Sequence, residues 1–96
     1  MMGDRIGMYV KDANGWECEI IIHSHWMGTE LIKLGQKYLK QRGHIIENED
    51  CYRITYDFIW WLGLNQIDTD IDLQTGDDDC EDNGVFCMNI QEMTVS

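Results

Sequence analysis

The sequence predicts an α+β domain of order ββααββ, in which a four-stranded, mostly antiparallel sheet carries a two-helix hairpin on one face. Three observations lead there. Residues 5–11, 16–25, 67–75 and 85–91 alternate apolar and polar side chains with a period of two. Between the second and third of these segments the apolar residues recur every three or four positions instead. Asn, Asp and Gly punctuate the joints, and the chain contains no proline.

The first strand sets Ile6, Met8 and Val10 against Gly7, Tyr9 and Lys11. Asp12-Ala13-Asn14-Gly15 then supplies a turn, because Asn and Gly both accept the positive φ of a tight hairpin. The returning strand, Trp16 to His25, places Trp16, Cys18, Ile20, Ile22 and Ser24 on one face and Glu17, Glu19, Ile21, His23 and His25 on the other. Thr29 suits the N-cap of a first helix with apolar positions Leu31, Leu34, Tyr38 and Leu39, and Gly43 suits its end. Lys33, Lys37, Lys40 and Arg42 gather on this helix, where charge near the C-terminus favours the macrodipole.

Asn48 can cap a second helix that runs through Cys51, Ile54, Phe58, Ile59 and Leu62 to Gly63. Tyr52, Tyr56 and Trp60 follow a second apolar line along it, for which burial is the simpler expectation. In the third strand Ile67, Thr69, Ile71, Leu73 and Thr75 alternate with Asp68, Asp70, Asp72 and Gln74, giving one core face and one acidic face. Residues 76–83 form a polar turn, and the last strand, Val85 to Gln91, turns Phe86, Met88 and Ile90 to one side.

Ninety-six residues, 44% of them hydrophobic and ten aromatic, suffice for a single domain over residues 1–96 with one core. No apolar run reaches the roughly 18 residues that span a bilayer, and no signal-peptide pattern opens the chain, so a soluble, cytoplasmic protein is expected. The four cysteines form no C-x-x-C pair and read as free thiols: Cys18, Cys51 and Cys87 lie within hydrophobic patterns and Cys80 among acids.

Charge is lopsided. Up to Ile46 the chain holds six Lys/Arg against five Asp/Glu; beyond it Arg53 stands alone against thirteen acids, so the two parts carry +1 and −12. Eight of those acids, Asp68, Asp70, Asp72, Asp77, Asp78, Asp79, Glu81 and Asp82, fall between Gln66 and Asn83. Carboxylates about 6.8 Å apart along one strand face are comparable to phosphates on a nucleic-acid strand. Such a surface suits a basic protein, and a net charge of −11 argues against direct nucleic-acid binding. Asp68, Asp70 and Asp72, with Asp79 eleven positions after Asp68, resemble an EF-hand loop, but the sixth residue is Leu73 where the turn needs Gly. A looser divalent-cation site among Asp77, Asp78, Asp79, Glu81 and Asp82 stays open.

His23-Ser24-His25 points two imidazoles to one strand face, a spacing that supplies two metal ligands without an evident third. Cys18 falls on the opposite face, and no nucleophile elbow or oxyanion-forming glycine run accompanies it, which disfavours a hydrolase. Trp60-Trp61 is an aromatic surplus suited to anchoring an interface or a homodimer.

Gly3-Asp4-Arg5 and the junction His25-Trp26-Met27-Gly28-Thr29-Glu30-Leu31, followed by Glu49-Asp50-Cys51-Tyr52, resemble a family of small uncharacterised proteins from phages, prophages and archaea. The chain departs from that pattern at Thr55, where Arg is usual, and at Thr75-Gly76-Asp77-Asp78, where the relatives are richer in glycine. The resemblance implies a mobile-element setting and no particular activity. The expectation is a non-enzymatic, cofactor-free inhibitor, anti-CRISPR-like, that blocks a nucleic-acid groove or assembly surface of a host nuclease complex. Its partner-binding residues are the eight acids above with Trp60 and Trp61. The alternatives are a metal- or small-ligand-binding domain centred on His23 and His25, and a homo-oligomeric accessory protein whose acids are merely solvated.

Overall fold

A computed structural model describes residues 4–65, 71–75 and 83–96. Two helices and a five-stranded mixed sheet give the α+β class. Strands β1 (Ile6–Lys11) and β2 (Ile20–Ser24) precede helices α1 (Glu30–Ile46) and α2 (Cys51–Leu64), and β3 (Ile71–Thr75), β4 (Val85–Asn89) and β5 (Thr94–Val95) follow. The order across the sheet is β3-β2-β1-β4-β5.

The expected second hairpin does not form. β3 joins the free edge of β2 antiparallel, with Ile22 opposite Leu73, whereas β4 pairs with β1 in parallel, with Met8 opposite Phe86. β1 therefore lies at the centre with both edges paired, and its Ile6, Met8 and Val10 are completely buried. A fifth strand, absent from the expectation, turns back at Met93, a non-glycine residue at φ 54, and pairs Val95 with Met88.

The opening hairpin is organised by a side chain. Asp12 is buried, and its Oδ1 accepts from the backbone N–H groups of Asn14 (2.9 Å) and Trp16 (3.1 Å). Its Oδ2 accepts from the N–H of Cys51 at 3.1 Å. One carboxylate thus closes the turn and ties it to the first residue of α2, an N–H that has no partner inside the helix. Gly15, at φ 87, completes the turn.

Beyond the turn the chain makes only an isolated bridge, Lys11 to Glu17, before β2 begins, so the second strand is shorter than its alternation implies. Trp16, expected on the core face, is 72% exposed.

Helix α1 enters without a side-chain cap from Thr29; Ser24 Oγ accepts from Met27 N instead, and Gly28 adopts φ 56. The helix continues past Gly43 to Ile46. Gly43 is a packing position, since a Cβ there would come within 3.0 Å of the Met93 sulfur. Gly35 brings the same helix close to Met8 and Val95. Helix α2 is capped by Asp50, whose Oδ1 accepts from Arg53 N at 2.8 Å, and not by Asn48. It buries Cys51, Ile54, Thr55, Phe58, Trp61 and Leu62.

The helices are joined by an aromatic trio. The Tyr38 ring meets Phe58 edge-on at 5.0 Å and Trp61 at 5.6 Å, and Phe58 stacks on Trp61 at 6.0 Å. Such pairs contribute about 0.5–1.5 kcal/mol beyond their burial. Around the trio, Tyr38 Oη donates to Asp57 Oδ2 at 2.7 Å, and Arg42 grips the same carboxylate through Nε at 2.7 Å and Nη2 at 2.9 Å. Trp61 Nε1 donates to Gln41 Oε1 at 2.9 Å. No helix among the described residues is long and apolar enough to cross a membrane.

Candidate functional site

Helix α2 covers the sheet with one face only. At about 100° per residue, Tyr52, Tyr56 and Trp60 fall on the side opposite Phe58. They are 42%, 55% and 51% exposed, so the second apolar line of this helix lies in solvent and not in the core. The burial expected for it fails because α2 packs against the sheet and α1 on a single stripe, and no described element covers its outer side.

Trp60 and Trp61 consequently separate. Trp60 stays on the surface, with the Arg42 guanidinium 5.0 Å from its ring. Trp61 is 3% exposed and cannot serve as the partner anchor expected of it, because its ring completes the trio with Tyr38 and Phe58.

At its N-terminal end the aromatic line runs into a cleft of about 390 Å³ lined by Asp12, Trp16, Glu17, Glu19, Asp50, Cys51 and Tyr52. Four carboxylate residues and no Lys, Arg or His line it. The Tyr52 hydroxyl donates to Glu19 Oε1, which fixes the ring on the cleft wall, and this bond pushes the Tyr52 hydroxyl up to about 12. Asp12 contributes charge while its oxygens are engaged by backbone N–H groups.

The Cys51 thiol is held above the ordinary thiol range by burial first and by the neighbouring Cys18, Asp12 and Asp50 next. Cys87 is raised as well, by burial. These thiols are poor nucleophiles at neutral pH; of the three cysteines read as core residues, Cys18 and Cys51 are buried and Cys87 is only partly so.

Of the acids singled out in the sequence, Asp72 lies on β3 with its side chain 57% exposed, opposite His23 in register. Its Oδ2 lies 3.1 Å from His25 Nε2. Asp68, Asp70, Asp77, Asp78, Asp79, Glu81 and Asp82 lie outside the described residues, as does Cys80.

His25 lies just past the end of β2 at Ser24, so the two histidines do not share the strand expected of them: His23 is 1% exposed, while the side chain of His25 is 38% exposed and engaged by Asp72. Among the described residues no group of three or more His, Cys, Asp or Glu is placed to hold a metal ion.

Sequence reasoning missed the cleft. Its signal lay in Glu17, Glu19 and Asp50 flanking Trp16 and Tyr52, residues far apart in the chain that are brought together by the Asp12–Cys51 and Tyr52–Glu19 hydrogen bonds. No protein-family model matches this chain, no curated protein matches it, and no solved structure matches it.

Proposed function

We propose that this chain is a small, non-enzymatic protein-binding domain whose partner presents a basic surface. The observation that carries the reading is the exposed line Tyr52, Tyr56 and Trp60 on a chain of net charge −11. Large aromatics in solvent are costly unless something covers them, and aromatic residues dominate the energetics of protein interfaces. The surrounding negative charge steers a basic partner and rejects nucleic acid itself.

In its sharpest form the protein is a counter-defence inhibitor from a phage or other mobile element. It occupies the nucleic-acid groove or an assembly surface of a host nuclease complex. The acids between Gln66 and Asn83 support that form, with Asp72 exposed on the edge strand β3.

The test is capture from a nuclease-treated host lysate on the tagged protein, washed at low and then high salt, followed by nuclease assays on the captured complex. A nucleic-acid-binding protein retained at low salt, released at high salt and inhibited by the wild-type chain is the expected result. Replacing Asp68, Asp70 and Asp72 with Asn is expected to abolish inhibition without loss of the circular-dichroism spectrum. Inhibition unchanged by that triple substitution sinks the mimic version.

A further inference from the structure

We propose that the cleft between the Asp12–Glu19 segment and the start of α2 receives an arginine side chain, presented by a protein segment that lies along Tyr56 and Trp60. The proposal rests on the basic-partner reading and names the group that this surface recognises.

Shape and charge select the occupant together. The cleft's volume, about 390 Å³, lies near the lower end of the range for ligand sites, which suits one long side chain with its attached backbone. Its walls carry two aromatic side chains, Trp16 at 72% exposure and Tyr52 at 42%. A neutral apolar group would satisfy the rings but leave the charges of Glu17, Glu19 and Asp50 facing it. A compact ammonium would satisfy the charges but is strongly hydrated and uses a ring face less well. A guanidinium does both, because it is planar, weakly hydrated, stacks on aromatic faces and donates in a fork to carboxylates.

The carboxylates have capacity to spare. Each ionised carboxylate offers about four acceptor positions. Glu19 uses Oε1 for the Tyr52 hydroxyl and Asp50 uses Oδ1 for the Arg53 N–H, and neither Glu19 Oε2 nor Asp50 Oδ2 has a hydrogen-bond partner among the described residues. The ring of Tyr52 is already held in place by Glu19, so the wall needs little ordering on binding. The chain shows the same pairing within itself at the far end of the aromatic line, where Arg42 lies over Trp60 while gripping Asp57.

The experiment is a ¹H–¹⁵N titration of the intact protein with N-acetyl-arginine methylamide, alongside its lysine counterpart and the neutral isostere N-acetyl-citrulline methylamide. The expected result is saturable shifts of the Trp16 indole N–H and the Cys51 and Tyr52 amides with the arginine compound. Citrulline binds about tenfold more weakly or worse. Trp16→Ala loses the Tyr52 and Cys51 shifts while its spectrum stays dispersed, since this side chain is mostly in solvent.

Shifts that grow linearly without saturation, or that citrulline matches, overturn the proposal. Equal binding of the lysine compound overturns the assignment to arginine. The titration needs no cellular partner. A lysate capture that succeeds beside a failed titration removes the arginine site and leaves the basic-partner reading, whereas the reverse pair of results removes the reading and leaves the site.

Discussion

Replacing Asp12 with Ala isolates the contact on which both the fold and the cleft depend. The side chain is 2% exposed and accepts three backbone hydrogen bonds, from Asn14, Trp16 and Cys51. The Cys51 N–H is buried and has no helical partner, so leaving it unsatisfied costs about 1–3 kcal/mol. The Asn14 and Trp16 groups lie in a solvent-facing turn where water can replace part of the loss, at about 0.5–1 kcal/mol each. Removing a negative charge from the start of α2 adds about 0.3–1 kcal/mol. The total is about 2–6 kcal/mol, a large share of the 5–15 kcal/mol typical of a domain. For a chain of this length it corresponds to a fall in Tm of at least about 8 °C. Urea unfolding followed by far-ultraviolet circular dichroism measures it directly, with an unchanged slope confirming that the same two states are compared. Asp12→Asn keeps the shape and one carbonyl oxygen but turns an amide toward an N–H, and should fall between wild type and Asp12→Ala. A loss under about 1 kcal/mol in Asp12→Ala would refute the reasoning, because it would mean that the three N–H groups are satisfied equally well without the carboxylate.

Four further outcomes follow from the same geometry. Trp61→Ala should cost about 3–5 kcal/mol by opening the aromatic trio, while Trp60→Ala should cost no more than about 1 kcal/mol, the worth of an exposed cation–π contact; paired denaturation curves check the contrast. Tyr38→Phe should lose about 1–1.5 kcal/mol, and a double-mutant cycle with Asp57→Asn should show coupling, since the two residues share one hydrogen bond while Asp57 also holds Arg42. Stability should be level through neutral pH and fall as pH rises above about 8.5: Cys51 and Tyr38 hold their protons more tightly folded than unfolded, so the unfolded chain releases them first. For Cys51 alone the slope is bounded by about 1.4 kcal/mol per pH unit, and Cys51→Ala should remove that part of it in denaturation series at stepped pH. With Cys80 and Cys87 replaced by Ser, the native protein should react slowly with a thiol reagent at pH 8 and release its two buried thiols, Cys18 and Cys51, only on unfolding.

Legibility from sequence divides along physical lines. Local periodicity is a property of each segment, so the core residues Ile6, Met8, Val10, Ile22, Ile54, Phe58 and Met88 and the order of the first four elements could be read directly. Pairing is not local. Alternation in residues 85–91 is the same whether β4 lies antiparallel to β3 or parallel to β1, and the structure chooses β1. The only hint was length: nine residues separate Thr75 from Val85, more than a tight hairpin uses. Gly43 misled for a related reason, because a glycine at a helix end and a glycine under a methionine look alike until the neighbour, Met93, is known.

The functional surface follows the same division. A second apolar line on α2 was visible in Tyr52, Tyr56 and Trp60, but whether such a line is core or surface depends on how many layers enclose the helix, and the described elements cover only its inner side. The cleft needs one further step, since Trp16 and Tyr52 come to line one cleft through long-range links, Asp12 to Cys51 and Glu19 to Tyr52. Stability and recognition are therefore coupled at this end of α2. Loosening Asp12 frees the Trp16 backbone and should weaken arginine binding before the domain unfolds, whereas Tyr38→Phe loosens the core on the opposite side of the helix and should leave that binding intact. Titrating both variants with the arginine compound under conditions where each is fully folded separates a site built by the turn from one that any stable form of the chain would offer.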